Sequence, residues 1–513
     1  MTGNDHLGRA ALAGVAAVSA GLGATELVTA ITIPSTSPLL VVGSFVIDLV
    51  PPWVKDLAIA LFGTADKLAL LIILGIMLAL LAAAAGVTEQ RKPPLGRWLV
   101  VVVGLVGVLA AATRANASVL TVVPSIFAAG LSVAALGLLM RQLPDGYSQP
   151  DEGAGTPDAS RRHFLIVAGT TAGVGILAAI GGRVLAAGTQ VVDSARSLFT
   201  LPRPAISAPP IPAGASLDVP GITPLITPNA NFYRIDTALL VPQVDPATWT
   251  LRITGMVEKE VTISFDELIA MLLEESTTTL ACVSNYVGDH LIGTATWLGY
   301  PIRDLLAVAR PTADADMVLS RSIDGFTAST PLVALTDDRN AILALGMNGE
   351  PLPSEHGYPV RMVVPGLFGY VSATKWVTEL KVTRFDREVA YWTQRGWSER
   401  GPIKMSSRID VPGHLQTVSA GNVVVAGVAW SPHVGISGVQ VRVDDGPWSD
   451  AELGEAISVD TWRQWAYSWD AAPGEHQLSV RAIDNAGKVQ TAEVADVVPD
   501  GASGHHRIAV TVP

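Results

Sequence analysis

Cysteine is almost missing from this sequence, because Cys282 is the only one in 513 residues. A single cysteine excludes an intramolecular disulfide, a cysteine-ligated iron–sulfur cluster and the Cys-x-x-Cys-His attachment of a c-type haem. Any part of the chain outside the cytoplasm must therefore be stabilised by ordinary core packing.

Charged residues are also scarce, at 16% of the chain, whereas soluble globular chains carry about a quarter. The net charge is -12 and no basic run exceeds two residues, so we expect no nucleic-acid partner. The apolar excess lies before residue 190. These patterns predict a membrane region in the first third and a soluble module in the remainder, with three or four units in all.

Five apolar segments in the first third are long enough to cross a bilayer, for which about 20 residues are needed. They are Gly8–Ile33, Leu68–Val87, Trp98–Thr113, Leu120–Met140 and Phe164–Ala187. A further apolar stretch, Leu39–Phe62, is interrupted by Asp48, Pro51 and Pro52. We expect a re-entrant or interfacial pair of short helices there.

Arginine and lysine placement predicts the orientation of these spans, because such residues favour the cytoplasmic side. They occur in the loop Glu89–Arg97 and again at Arg141, Arg161 and Arg162, with two spans between, and Arg9 precedes the first span. The chain after Ala187 then emerges outside the cell membrane. We therefore expect a multi-pass protein of the cell membrane. Its helical anchor contacts the lipid bilayer, and its soluble domains lie on the extracytoplasmic side.

The segment Ser160–Leu165 matches a twin-arginine export signal placed inside the chain. That pathway exports folded proteins, which suits a module that must receive a cofactor in the cytoplasm. The alternative is that Arg161 and Arg162 are simply two positive-inside residues before a helix.

Glu26 lies within the first span, where a carboxylate is costly and is a functional hypothesis by default. The alternative is a structural partner, either Arg114 or a hydroxyl group. Haem in the membrane is poorly supported, because His6 and His163 are the only histidines near the spans and both lie at cytoplasmic ends. We expect neither haem nor flavin in this chain.

The remaining sequence divides into regions that differ in composition and in predicted secondary structure. Residues 188–224 are rich in proline and predict an extended tether. Strand and helix patterns alternate over 225–404, as in an α+β domain, with a helix predicted at Phe265–Leu273 capped by Ser264. Over 405–513, strands such as Asn422–Trp430 and Gln464–Asp470 follow one another without helices, which predicts a β-sandwich. The earlier regions are a bundle over 1–143, a cytoplasmic linker over 144–163 and a membrane helix over 164–187.

The segment Thr279–Leu306 carries the lone cysteine at the end of a predicted strand, followed by a loop with glycines. A buried, inert thiol is the simplest explanation for an isolated cysteine. Several downstream blocks favour a different one. They are Leu345–Pro353, His356–Arg361, Val363–Gly366 and Ser372–Trp376.

Together these blocks resemble the sulfite oxidase family from about Thr227 to Pro513. The resemblance implies a molybdenum–molybdopterin cofactor whose metal binds the thiolate of Cys282. The implied fold class is multidomain: an N-terminal α-helical transmembrane bundle, an α+β sulfite-oxidase-like molybdopterin domain, and a C-terminal immunoglobulin-like β-sandwich that serves as a dimerisation domain. A homodimer is the expected assembly.

The resemblance also implies residue roles. Thr227–Tyr233 is similar to the family's upstream cofactor loop, and Arg361 and Lys375 are the cations expected to hold the cofactor's phosphate. The full cofactor-binding set is Asn229, Phe232, Tyr233, Ser322, His356, Arg361, Ser372, Ala373, Thr374 and Lys375. Cys282, Arg234 and Trp397 are the catalytic candidates. The chain departs from the family pattern at Trp397, where a tyrosine is expected, and at Arg234, one place away from the substrate arginine.

The expected reaction is oxygen-atom transfer, either sulfite oxidation or reduction of a sulfoxide or similar oxide. The substrate is then a small oxyanion or an S- or N-oxide. Because neither haem nor flavin is expected, electrons must pass to or from a separate partner, a membrane quinone or an external redox protein. Two other classes stay open: a cofactor-free membrane scaffold on the same fold, and a transporter with Glu26 on its path. The spans lack paired half-helices in two repeats, which disfavours the transporter.

Overall fold

The computed structural model describes residues 3–32, 36–51, 54, 61–62, 66–114, 117, 119–143, 157–187, 196 and 198–513. The chain divides into two units. One comprises Met1–Val191 with Ala238–Leu240, and the other comprises Val192–Thr237 with Val241–Pro513. We call them the helical unit and the soluble-type unit.

The described part of the helical unit contains long apolar helices. They are α1 (Gly3–Ile31), α2 (Pro38–Leu49), α3 (Asp66–Arg91), α4 (Leu95–Ala112), α5 (Val119–Met140) and α6 (Pro157–Ala187). Five segments are long and apolar enough to cross a bilayer: His6–Ala30, Lys67–Arg91, Leu95–Ala112, Val119–Met140 and Phe164–Gly181. Each overlaps one of the five spans predicted from the sequence. Their location in a membrane stays a prediction.

Helix α1 is the centre of this unit and packs against α3, α5 and α6. Glycines make its approach to α3 possible. A Cβ on Gly14 would lie 1.9 Å from the carbonyl oxygen of Ala82, and one on Gly86 would lie 1.8 Å from that of Ala10. Any side chain at either position would separate the two helices, so dispersion contacts along this crossing depend on glycine.

Glu26 has a structural partner in the segment that follows α1. Its carboxylate accepts hydrogen bonds from the Ser37 hydroxyl at 2.7 and 2.8 Å and from the Leu39 backbone N–H at 3.2 Å. The hydroxyl alternative is therefore confirmed. Arg114, the other partner considered, pairs with Asp48 at 2.7 Å.

Two other sequence expectations fall in this unit. The predicted pair of short helices is represented by α2, which ends at Leu49 ahead of Pro51, while residues 52–53 and 55–60 lie outside the described residues. A proline beyond a helix end is consistent with termination there. The two arginines of the export-like motif lie in the first turns of α6.

The soluble-type unit begins with two sheets and short helices. The strands are β1 (Thr250–Gly255), β2 (Val261–Ser264), β3 (Glu274–Ala281), β4 (Ile292–Pro301), β5 (Met317–Ser322), β6 (Thr327–Pro331), β7 (Ile342–Met347), β8 (Glu350–Pro351), β9 (Arg361–Val363) and β10 (Val377–Thr383). The helices are α7 (Phe265–Ile269), α8 (Ile302–Ala309), α9 (Leu332–Thr336) and α10 (Gly369–Ser372). One sheet has the order β2-β1-β10-β5-β6 and the other β3-β4-β7-β8, with β9 on β7.

The predicted helix after Ser264 exists but is shorter than expected. Ser264 and Glu267 form a capping box, as the sequence pattern indicates. The helix ends at Ile269 instead of Leu273, so its predicted end is wrong. Leu273 lies beyond the helix, directly before β3, and its carbonyl accepts a hydrogen bond from Ala205 N–H at 2.7 Å.

The C-terminal part is rich in β-strands, as predicted. The strands are β11 (Ser406–Val411), β12 (Gln416–Thr417), β13 (Gly421–Trp430), β14 (Ile436–Val443), β15 (Ser449–Asp450), β16 (Glu452–Leu453), β17 (Arg463–Ala471), β18 (Gly474–Asp484) and β19 (His506–Val512). They form sheets of order β11-β13-β17-β16 and β12-β19-β18-β14-β15. Side chains from both sheets, including Val425, Trp465 and Leu478, share one buried cluster. The immunoglobulin-like assignment stays a prediction.

The segment predicted as an extended tether, residues 188–224, is held against strands of the soluble-type unit at several of its described residues (196 and 198–224). Ile206 forms a parallel bridge with Glu274, and Leu217 N–H donates to the Gln464 side chain at 2.7 Å. Thr223 N–H donates to Asp410 at 3.0 Å. The prolines lack N–H groups, but the residues between them retain donors that bind the strands alongside.

Candidate active site

Cys282 follows directly after β3, at the start of a loop that returns to β4. Its backbone N–H donates to Leu291 O at 2.9 Å, and the side chain of Asn285 accepts from Leu291 N–H at 2.7 Å. These bonds close the loop 283–291, which we call the cysteine loop. Cys282 is buried, with 9% of its surface exposed, yet its side chain borders a cavity.

The cavity contains about 880 Å³ of empty space. Residues from loops of both sheets line it: Phe232, Tyr233, Ile235, Asp236, Thr237, Cys282, Val283, Ser284, Ser322, Asp324, Phe326, His356, Arg361, Gly369, Tyr370, Ala373, Lys375, Trp376, Trp392 and Trp397. A concave site with convergent polar groups and an apolar lining is typical of a small-molecule or cofactor site.

Aromatic rings form one wall of the cavity. Phe232 stacks on Tyr233 with ring centroids 5.2 Å apart and meets His356 edge-on at 5.7 Å. Gly293 allows this packing, because a Cβ there would lie 2.8 Å from the Phe232 ring. The upstream loop predicted from the sequence thus meets the predicted histidine.

His356 is held as a neutral imidazole. Burial, followed by the nearby charge of Arg361, lowers its pKa to about 4. Its Nε2 lies 3.2 Å from the carbonyl oxygen of Asn229, which can only accept, so Nε2 carries the proton. The other ring nitrogen remains an acceptor.

Arg361 is a deeply buried cation, with 5% of its surface exposed. It donates to the carbonyl oxygens of Met362, His356 and Ala373, and its guanidinium lies 5.0 Å from the Trp297 ring centroid. Burial lowers its pKa to about 10. Among the described residues, no carboxylate lies within ion-pair distance of Arg361. A buried cation without a carboxylate partner suits an anionic ligand.

Lys375 is the second buried cation of the cavity. Its ammonium donates to Asp236 at 2.9 Å and to the Glu355 carbonyl at 3.0 Å. Burial lowers the pKa of Lys375 to about 8, while the charge of Asp236 acts in the opposite direction. This lysine is therefore held beside the cavity by a carboxylate 139 residues away in sequence.

The donor set fits a molybdenum–pterin cofactor. Burial raises the pKa of the Cys282 thiol, whereas hydrogen bonds from Ser284 and Val283 act to lower it. These donors would stabilise a thiolate, and a soft sulfur ligand suits molybdenum beside the cofactor's own sulfurs. The buried charge of Arg361 in the same cavity matches the phosphate-bearing part of such a cofactor.

The structure brings together nine of the thirteen residues predicted from the sequence. The cavity-lining ones are Phe232, Tyr233, Cys282, Ser322, His356, Arg361, Ala373, Lys375 and Trp397. Asn229, Arg234, Ser372 and Thr374 do not line it.

Each of these four residues has a hydrogen-bond or ion-pair partner elsewhere in the fold. Asn229 donates to Met347 O, Ser372 donates to the carbonyls of Leu367 and Phe368, and the Thr374 and Ser320 hydroxyls lie 2.7 Å apart. Arg234 pairs with Asp236 at 3.0 Å, and 40% of its side chain is exposed. The substrate role expected of Arg234 stays a prediction: its side chain does not line the cavity, but it pairs with Asp236, which does.

Eleven of the twenty lining residues are not among the thirteen predicted ones, and Asp236, Tyr370 and Trp392 are three of the eleven. Tyr370 donates its hydroxyl to Ser398 O at 2.7 Å, and its ring lies 5.9 Å from that of Trp397. Tyr370 stands two places before Ser372, and Trp392 stands five places before Trp397. Closeness in sequence to predicted site residues is therefore the signal by which both could be found.

The low pKa of His356 predicts a loss of stability in mild acid. An unfolded histidine titrates near 6.5, so between pH 6.5 and about 4 the unfolded state binds more protons than the folded state. The contribution of the neutral His356 to the free energy of unfolding is complete above pH 6.5 and declines as the pH falls. We expect the H356Q variant to remove about 2 kcal/mol of the stability difference between pH 7.5 and 5.0. Unfolding followed by tryptophan fluorescence measures this.

The H476Q variant is the control, because the carboxylate of Asp444 raises the pKa of His476 and gives the opposite sign. An equally steep acid loss in wild type and H356Q would contradict a neutral, buried His356.

The fold and the cavity define a class of protein, an oxidoreductase built around a molybdopterin-binding domain. Residues 238–392 match the family model described as the oxidoreductase molybdopterin binding domain. The uncharacterized oxidoreductase YuiH of Bacillus subtilis is 30% identical over 183 residues, covering 34% of this chain and 87% of that protein. The chain belongs to the sulfite oxidase family of molybdopterin oxidoreductases.

Two further comparisons cover about half of this chain. Mitochondrial sulfite oxidase of Rattus norvegicus is 29% identical over 321 residues, covering 53% of this chain and 58% of that enzyme. The chain thus matches little more than half the length of this relative. The crystal structure of the sulfane dehydrogenase SoxCD from Paracoccus pantotrophus also matches. The match covers 53% of this chain and 76% of that chain, with 24% sequence identity and a TM-score of 0.46.

Proposed function

We propose that this protein is a membrane-anchored, extracytoplasmic molybdenum-cofactor oxidoreductase that performs oxygen-atom transfer. One observation carries the proposal: the lone thiol of Cys282 borders the same cavity as the buried guanidinium of Arg361. The two residues lie on separate blocks of the sequence and line one cavity, which supports their proposed roles as metal ligand and as charge for a phosphate-bearing cofactor.

When bound, a molybdenum–pterin cofactor supplies the two-electron chemistry. The chain supplies the rest. Cys282 provides the thiolate, Arg361 and Lys375 provide positive charge, and His356 provides a neutral ring that can hydrogen-bond through Nδ1. Phe232 and Tyr233 present ring faces that exclude water from one side of the cavity.

Electrons need a separate partner under this proposal, a membrane quinone or an extracytoplasmic redox protein. The five apolar helices support a lipid anchor by length and composition. The arginine distribution supports an extracytoplasmic soluble region, and the Ser160–Leu165 motif supports export through the twin-arginine pathway. We also propose the domain limits 225–404 and 405–513 for the cofactor and dimerisation domains, and a homodimer as the assembly.

Elemental analysis of the full chain, purified in detergent from molybdate-fed cells, tests the cofactor. We expect close to one molybdenum atom per chain, and we expect chelation or heat release of the cofactor to remove dye-linked redox activity. The competing function is a cofactor-free membrane scaffold. Well-folded protein without molybdenum would establish that alternative and end the enzyme proposal.

A further inference from the structure

The outward face of the C-terminal sheet β12-β19-β18-β14-β15 carries three arginines on adjacent strands. Leu478 and Ile508 point into the buried cluster between the two sheets, so the residues that alternate with them point away from it. The outward arginines, which we call the arginine cluster, are Arg442 of β14, Arg481 of β18 and Arg507 of β19. In the strand register Arg442 is the partner of Ser479, and Ser479 is the partner of Arg507. Two arginines therefore flank one serine across three strands.

Trp448, immediately before β15, fixes the faces of two of these guanidiniums. Its ring centroid lies 4.3 Å from Cζ of Arg481 and 5.0 Å from Cζ of Arg442. The same ring meets His505 edge-on, with centroids 5.3 Å apart. Because the indole occupies guanidinium faces, the N–H edges of the two arginines remain for hydrogen bonding.

Several donors of the cluster have no partner in the protein. Arg481 donates from Nε and one Nη to the side-chain oxygen of Gln440, at 2.9 and 2.6 Å. The Nε of Arg442 is buried without a hydrogen-bond acceptor, and so is the hydroxyl of Ser479, whose exposed surface is 0%. Buried polar groups are normally hydrogen-bonded, so two such groups side by side favour an acceptor supplied by a ligand.

No carboxylate neutralises the arginine cluster. Among the described residues, none lies within ion-pair distance of its three guanidiniums, including the nearby acidic residues Asp444, Asp445 and Asp450. Asp444 hydrogen-bonds to His476 at 2.8 Å, and Asp450 accepts from Gln440 at 2.8 Å. Like charges on neighbouring strands destabilise a sheet, so an anion bound between them would stabilise it.

The three charges are close enough to act on one side chain. Burial lowers the pKa of His505, and the charges of Arg481, Arg507 and Arg442 lower it further, while its hydrogen bond to Gln490 O acts in the opposite direction. His505 is therefore neutral at pH 7 and adds no charge of its own. The positive potential of this face comes from the arginines.

From these observations we propose that the arginine cluster binds a phosphate-type oxyanion. Such a dianion presents several oxygens at once, which suits paired guanidinium edges, and it offsets their charge. A purely structural stack of arginine on tryptophan would leave Arg442 Nε and the Ser479 hydroxyl unexplained. No residue of the cluster lines the cavity beside Cys282, so the inference does not rest on the proposed function.

Isothermal titration of the full chain in detergent with inorganic phosphate tests the site, with sodium chloride holding the ionic strength constant. We expect a Kd at or below about 1 mM. Phosphate at about ten times its Kd should raise the thermal midpoint by about 2–4 °C. Competition by micelles that contain phosphatidylglycerol would identify a lipid headgroup as the source of the phosphate, and lack of competition would identify a soluble ligand.

Variants assign the binding to this sheet and not to Arg361 in the cavity. R442Q should weaken phosphate binding by about tenfold or more, because it removes the guanidinium whose Nε lacks a partner. R442K should retain only part of the affinity, since an ammonium does not donate bidentately. R203Q is the matched control and should keep the wild-type Kd, because Arg203 is an exposed arginine outside the cluster.

Stability without phosphate separates a binding site from a structural stack. In chloride alone, the thermal midpoint of R442Q should stay close to that of wild type, because relief of like-charge repulsion offsets the lost stacking. A structural stack would instead lower that midpoint and leave the response to phosphate unchanged. That result, or equal phosphate binding by wild type and R442Q, would overturn the proposal. R507Q, at an exposed position, repeats the comparison should R442Q fail to fold.

Discussion

Replacing Cys282 with serine should lower molybdenum-centred activity by more than about a hundredfold, beyond the range usual for loss of an outer-shell partner. Serine has nearly the same size and can keep the backbone bonds of the cysteine loop, in which Cys282 N–H donates to Leu291 O at 2.9 Å. Its oxygen is a hard, weakly acidic ligand in place of a soft thiolate. The change therefore removes the bond to the metal while leaving the fold.

Dye-linked activity per bound molybdenum measures this effect, and tryptophan fluorescence confirms folding. S284A is the matched comparison, since Ser284 donates to the Cys282 sulfur but does not replace it. We expect its loss to stay within about 10–100-fold. Full activity in C282S would show that the thiol is an inert buried group.

Replacing Arg408 with methionine should destabilise the soluble-type unit by about 3–5 kcal/mol, the usual cost of breaking a buried ion pair. The side chains of Arg408 and Asp410 are 2% and 4% exposed, and Nε lies 2.6 Å from the carboxylate. Arg408 also donates to Asp289 O and to the Thr223 hydroxyl, each at 2.8 Å. These bonds join β11 to the cysteine loop and to the proline-rich segment that contains Thr223.

The thermal midpoint of the purified chain measures this destabilisation, together with its molybdenum content. R384M provides the control, because Arg384 and Asp386 form a solvent-screened surface pair, with side chains 33% and 61% exposed, whose loss should leave the thermal midpoint nearly unchanged. A double variant, R408M with D410L, should recover part of the loss, since it leaves no buried charge unpaired. Equal midpoints for R408M and R384M would refute the bracing role.

Much of the site could be predicted because its residues lie in short blocks of sequence. His356 and Arg361 are five places apart, and Phe232 and Tyr233 are adjacent, so each block reaches the cavity as a unit. Arg234 does not line the cavity, although Tyr233 and Ile235 on either side of it do, and no local sequence pattern distinguishes it from them. Its carboxylate partner, Asp236, lies two residues further on.

Local patterns in the sequence by themselves determined the five apolar helices, the capped start of α7 and the strand that ends just before Cys282. Each depends on run length, periodicity or a cap, which are properties of neighbouring residues. Only the tertiary structure decided that Asp236 neutralises Lys375 and that Tyr370, Trp392 and Trp397 form a wall. Only the tertiary structure also decided that Arg408 of β11 binds the cysteine loop through Asp289 O. Those contacts join residues far apart in the chain, and long-range packing and desolvation select them.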